Sequence, residues 1–194
     1  GTTVNVAGDV TFASAQWDGP LFIIDGESIT FQGNGHTFDG QGQGVWDTKG
    51  SNGGTTKVSI RCLIVGSSTL MLIFLLPAQF LKLKHSGTFS NLKVINSPRQ
   101  VFSIGSNSAL LTVDSVQIDN SAGDKLSGGK PLAHNTDGFD VSASNVIIKN
   151  CRIINQDDAI AINSGSNIQF LNNYCSGVFI IDLEQKHHVD SDNL

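Results

Sequence analysis

Three seven-residue segments of this chain follow one rule: Ser-Asn, then apolar and variable residues in alternation, then Asn. They are Ser90-Asn91-Leu92-Lys93-Val94-Ile95-Asn96, Ser144-Asn145-Val146-Ile147-Ile148-Lys149-Asn150 and Ser166-Asn167-Ile168-Gln169-Phe170-Leu171-Asn172. The last two are 22 residues apart, and looser copies start at Thr2, Glu27 and Ala109. The 54 residues that separate the first copy from the second read as two coils plus a loop at 121–131, rich in Gly, Ser and Lys. A period in the twenties, one inward-facing strand per repeat and Asn at the turns together predict an all-β parallel β-helix. One coil cannot bury its own apolar face, but stacked coils bury a continuous one. Asn suits the corners because it tolerates left-handed backbone angles. The competing architecture is a β-sandwich, which gives no reason for Ser-Asn to recur in phase.

Composition agrees. Gly, Ser and Asn supply 58 of the 194 residues, and 15 of the 17 acids are Asp. Turn formers beside β-branched residues exclude a mainly helical fold. The net charge of −5 argues against nucleic-acid binding through a basic surface. An acidic chain that acts on an acidic polymer needs a local basic patch. Cys62, Cys151 and Cys175 lack metal-ligand spacing, and three cysteines allow at most one disulfide.

Stacking one coil on the next aligns Asn135-Thr136-Asp137-Gly138-Phe139-Asp140-Val141 with Gln156-Asp157-Asp158-Ala159-Ile160-Ala161-Ile162 at an offset of 21. Asp137 then lies beneath Asp158, with Asp157 beside them. Strands about 4.8 Å apart hold the stacked carboxylates roughly 5 Å apart. Three like charges that close cannot all ionise easily, so one pKa rises. A protonated acid beside ionised bases is equipment for glycoside hydrolysis. Two other readings of the same spacing stand beside it: a solvated turn, and a cation site, since carboxylates suit calcium. Adjacent strand residues face opposite ways, so Asp157 and Asp158 share a face only if the backbone bends there.

At these residues the sequence resembles the polygalacturonases of glycoside hydrolase family 28, most closely the fungal endo-acting ones. The motifs are His134-Asn135-Thr136-Asp137-Gly138-Phe139-Asp140 and Asn155-Gln156-Asp157-Asp158. Gly33-Asn34-Gly35-His36, Phe38-Asp39-Gly40-Gln41-Gly42 and Ser97-Pro98-Arg99-Gln100 match the same family. The resemblance spans residues 1–57 and 80–177. It implies a right-handed parallel β-helix that hydrolyses α-1,4 bonds of polygalacturonate with inversion, without cofactor or metal, as a secreted, extracellular monomer. Its partner is pectin, with no nucleic acid and no membrane. By the resemblance Asp157 is the general acid, Asp137 and Asp158 activate the water, and Asn135 and Gln156 contact substrate. The spacing near 5 Å belongs to the water-activating pair and is not the acid–base distance that separates retaining from inverting enzymes.

Departures from the family are equally legible. Its later Gly-His-Gly and Arg-Ile-Lys motifs are absent, and Ala159 replaces a Cys that in relatives bridges to the position of Cys175. Residues 1–177 therefore read as the N-terminal part of a β-helix catalytic domain, an inactive fragment being one outcome, and 178–194 as a non-family tail. Residues 58–79 form an apolar insert that reads as an unspliced intron. The alternative functions are a catalytically dead carbohydrate-binding β-helix and a protein anchored in a membrane through 58–81.

Overall fold

The computed structural model describes residues 1–12, 19–50, 79–105, 107–176 and, by backbone, 181–183. The first coils hold Thr2–Asn5 (β1), Val10–Thr11 (β2), Phe22–Gln32 (β3), Thr37–Asp39 (β4), Leu81–Ser90 (β5) and Lys93–Ile95 (β6). Next come Phe102–Ile104 (β7), Leu111–Asp114 (β8), Gln117–Asp119 (β9) and a small hairpin of Leu126–Ser127 (β10) with Lys130–Pro131 (β11). Phe139–Ser142 (β12), Val146–Lys149 (β13) and Arg152–Ile154 (β14) make one coil; Ile160–Ser164 (β15), Ile168–Leu171 (β16) and Tyr174–Ser176 (β17) make another; Ile181–Leu183 (β18) follows.

Among the described residues every strand pairing apart from the hairpin is parallel, and the pairings sort into three columns. The first runs Phe22, Leu81, Phe102, Phe139, Ile160, Ile181. The second runs Thr2, Ile29, Gly87, Leu111, Val146, Ile168. The third runs Val10, Phe38, Val94, Ile118, Ile153, Cys175. This is the parallel β-helix that the repeat predicts, right-handed as the resemblance implies. β3 and β5 each run unbroken through the first two columns, with a register shift at Gly26/Ile29. From β7 and β8 onward a corner separates them.

The corners explain the Asn. Among the described residues, eight of the twelve non-glycine residues with positive φ are Asn. Asn145 and Asn167 (φ 58° and 56°) turn the first column into the second. There Asn167 Nδ2 donates to Asn145 Oδ1 at 2.7 Å, and Ser166 N to Ser144 Oγ at 3.0 Å. Asn34, Asn91, Ser115, Asn150 and Asn172 (φ 54–57°) turn the second into the third. The Ser90 copy of the repeat therefore sits at a different corner from the Ser144 and Ser166 copies, and the three are not in phase. Its distance to the second copy is two coils less one side. The cause is physical: every corner that feeds an inward-facing strand selects the same short sequence. The looser copies at Thr2, Glu27 and Ala109, by contrast, lie in the second column with the two strong ones.

The core is a pile of side chains from successive rungs. Phe31 stacks on Phe89 (centroids 4.5 Å apart, planes within 1°) and Phe102 on Phe139 (5.0 Å, 18°). All four are buried, each worth about 1.5–3 kcal/mol of transfer free energy. Cys151 and Cys175 are free thiols; burial pushes Cys151 up to about 12. The ladder runs past Gly177, since β18 pairs with β15. Residues 58–78 of the apolar insert, Cys62 and residues 184–194 lie outside the described residues. Among the described residues no helix is long and apolar enough to cross a membrane.

Candidate active site

The third corner, from the third column back to the first, is irregular. Residues 155–159 bend between β14 and β15, and residues 120–138 make the equivalent passage one coil earlier. Asp158 N donates to Asp157 Oδ1 at 3.0 Å, so the first Asp caps its own turn. Asn155, buried, donates through Nδ2 to Asp158 O (2.8 Å) and to Thr136 O (2.9 Å), pinning the bend to the rung below. The bend required for Asp157 and Asp158 to share a face is present.

The offset of 21 is also present: Phe139 pairs with Ile160, and Gly138 N donates to Asp158 O at 2.8 Å. Asp137 and Asp158 therefore occupy the same position on consecutive rungs. A Cβ at Gly138 would come within 2.6 Å of Ala159 O, so only glycine permits this approach. Asn135 (φ 51°) directs Nδ2 to Asp157 Oδ2 at 3.2 Å, and His134 Nδ1 lies 3.8 Å from the same oxygen. Thr136 Oγ1 donates to Gln156 Oε1 (2.9 Å) and accepts from Gln156 N (2.9 Å). Gln156 Nε2 serves Asn120 O (2.7 Å) and Asp124 Oδ1 (2.9 Å). Asn135 and Gln156 thus hold the frame on which the acids sit.

Electrostatics distinguish the carboxyls. Asp137 is 9% exposed, and its Oδ1 has no hydrogen-bond partner. Burial, then the charges of Asp140 and Asp157, push its pKa up to about 8. Burial also raises Asp140, helped by Asp158 and Asp157 and opposed by a hydrogen bond with Asp137 and by the Arg99 guanidinium. Burial lowers Arg99, while Asp137 and Asp140 draw it back up. Four carboxyls therefore sense one another, with a cation behind them. Asp157 keeps 24% of its side chain in solvent and is reachable.

Sequence reasoning missed Asp140 and Arg99. Alternation along a flat strand puts residues 137 and 140 on opposite faces, and the bend at Gly138 removes that separation. Arg99 arrives from the coil below, where Val101 N donates to Asp137 O at 2.8 Å. A register that stacks Phe102 under Phe139 would have found it. Among the described residues no group of three or more His, Cys, Asp or Glu side chains is arranged to hold a metal ion.

Residues 1–179 match the family Glycosyl hydrolases family 28. A polygalacturonase of Saccharomyces cerevisiae is 42% identical over 177 residues, which cover 90% of this chain and 42% of that protein. A polygalacturonase of Cochliobolus carbonum is 44% identical, over 91% and 43%. The solved structure of endopolygalacturonase I from Stereum purpureum, complexed with two galacturonate, superposes with a TM-score of 0.76 at 51% identity, over 90% of this chain and 46% of that one. The chain spans less than half the length of these relatives. With the β-helix, the stacked acids and the match over nearly its whole length together, the chain belongs to glycosyl hydrolase family 28.

Proposed function

We propose that this chain carries the acid–base machinery of a polygalacturonase, hydrolysing α-1,4 bonds of polygalacturonate with inversion. The observation that supports the reading most is the stacking of Asp137 under Asp158, with Asp157 turned outward beside them.

In this mechanism Asp157 protonates the leaving glycosidic oxygen. Asn135 Nδ2 holds its Oδ2 in place, with the His134 ring 3.8 Å away. Water sits over Asp137 and Asp158. Asp137 retains its proton up to about pH 8, so it orients the water by donating to it. Asp158 takes the proton as the water attacks the anomeric carbon from the face opposite the leaving group. Arg99 keeps the negative charge behind the site tolerable. The substrate is a wall polymer, so the site of action is extracellular.

A reducing-end assay on polygalacturonate tests this. The chain should release ends, Asp157→Asn should abolish release while preserving binding, and NMR of the first product should show the inverted anomer. Release that is indifferent to Asp157→Asn overturns the reading. Binding without release by the native chain converts it to a carbohydrate-binding β-helix.

A further inference from the structure

Residues 41–50 leave the third column after β4 and climb across the two coils that follow. Gly42 N donates to Asn96 O (2.7 Å) and the Trp46 indole Nε1 to Ser97 O (3.0 Å), both on the corner between β6 and β7. Thr48 N donates to Leu132 O (2.8 Å), on the same corner one coil further. Gly50 then lies against His134 and Asn135: a β-carbon there would come 2.6 Å from His134 O and 2.5 Å from Asn135 Oδ1. Two rungs make a climb of about 10 Å. A segment that starts on the β4 coil thus arrives beside the candidate acid.

The backbone shows what this placement demands. Thr48 stands at φ 73°, a left-handed angle that β-branched residues seldom adopt. Strain of this kind persists only where the surroundings over-determine it, and it gathers at functional sites. Here the bonds to Ser97 and Leu132 impose it, and they deliver the bare Cα of Gly50 (φ 53°) to one side-chain amide. That amide has two ends with different partners. Asn135 Oδ1 faces Gly50, and Asn135 Nδ2 donates to Asp157 Oδ2 at 3.2 Å. Gly50 confines the oxygen end, which leaves the nitrogen end aimed at the carboxyl.

We infer that Gly50 is a positioning residue for hydrolysis: delivered by the segment that Thr48 anchors, it fixes the Asn135 amide and, through it, the carboxyl of Asp157. The inference rests on the proposed reading of Asp157 as the general acid and extends the support of that acid to a coil that supplies none of the carboxyls. A misplacement of about 1 Å at a reacting group costs about 10²-fold in rate. A single methyl group at position 50 should therefore be felt at the leaving oxygen.

The test compares two substrates: α-1,4-trigalacturonate, whose leaving sugar needs a proton, and a 2,4-dinitrophenyl α-digalacturonide, whose phenolate leaves without one. The chains are native, Gly50→Ala, Thr48→Pro, Asn135→Ala and the Gly50→Ala/Asn135→Ala double variant, each shown folded by a cooperative thermal transition. Thr48→Pro removes the N–H that bonds Leu132 O and cannot adopt φ 73°; it carries the comparison if the β-carbon at 50 prevents folding. Gly50→Ala and Thr48→Pro should each lower kcat on the trimer about ten- to hundredfold with KM within twofold, and lower it less than threefold on the activated substrate. Gly50→Ala should add less than threefold to the loss already caused by Asn135→Ala. Trimer kcat within twofold of native in the folded variants overturns the inference and leaves the proposed function standing. So does an equal loss on both substrates, or losses at 50 and 135 that multiply. A native chain that cleaves neither substrate overturns the proposed function and this inference together.

Discussion

Two corners of the same coils have opposite characters. From the second coil onward the corner between the second and third columns repeats: Asn34, Asn91, Ser115, Asn150 and Asn172 adopt the same left-handed angle on successive rungs. Among the described residues the corner between the third and first columns differs from coil to coil. It carries a 3-10 turn at Gly42–Gly44, is tight at Asn96, widens into a 3-10 turn and hairpin at 121–131, and closes as an Asp-capped bend at 155–159. Uniform turns satisfy their own polar groups and present nothing unusual to solvent. The irregular corner buries carboxyls, crowds like charges and leaves one acid reachable. Regularity here serves stability, and its interruption gathers the carboxyls.

If this division is right, substitutions at the two corners should fail in different assays. The largest effect is expected from Asp157→Asn, which should lower the rate of bond cleavage about 10²–10⁴-fold with little change in the thermal midpoint. Loss of folding together with activity would erase the distinction.

Next is Asp137→Asn. The folded pKa of Asp137, near 8, lies above its ordinary value of 3.8. The folded chain therefore binds the extra proton between those limits. The stabilisation is complete below about pH 4 and is lost as pH rises through 8. The amide removes that loss. The variant should gain stability over the native chain at pH 8, on the order of 5 °C in midpoint, and the gain should vanish near pH 4, read by circular dichroism. A gain independent of pH would show that Asp137 is not the protonated carboxyl.

Asn150→Ala probes the regular corner. It leaves φ 56° to a residue without the polar side chain that eases that angle and removes the Asn150 Nδ2 to Asp114 Oδ1 bond of 2.9 Å. The expected cost is about 1–2 kcal/mol, with catalysis unchanged; Asn150→Gly should recover part of it.

The smallest effect belongs to His85, fully buried in β5 with Nδ1 3.1 Å from Ser86 O. Burial lowers its pKa below 6.5, so its stability contribution is present above that value and lost as pH falls through the folded pKa. His85→Leu should therefore lose less midpoint than the native chain between pH 7 and pH 5, by about 1–2 °C. An unchanged acid response would show the ring to be titrating normally.

Much of this was readable from residues alone. Asn at the turns, inward alternation and an offset of 21 between the Asp motifs lead directly to Asp137 under Asp158. Phase was not readable, because the Ser-Asn signature marks any corner and carries no label for which. Asp140 and Arg99 were hidden for a related reason: a bend at one glycine and a contact from the coil below are three-dimensional facts that alternation cannot express. The apolar segment at 58–78 lies outside the described residues, so the intron reading stays with the sequence of the transcript.

The aromatic pile has an evolutionary corollary. Rings at 4.5–5.0 Å match the natural pitch of parallel strands, about 4.8 Å, so a rung tiles onto its neighbour without adjustment. A single residue inserted in a strand would turn the inward side chains beyond it outward on that rung, whereas a corner can lengthen freely. Mutational growth is thereby channelled into the corners, where excursions lengthen or shorten while the pitch of the stack stays constant.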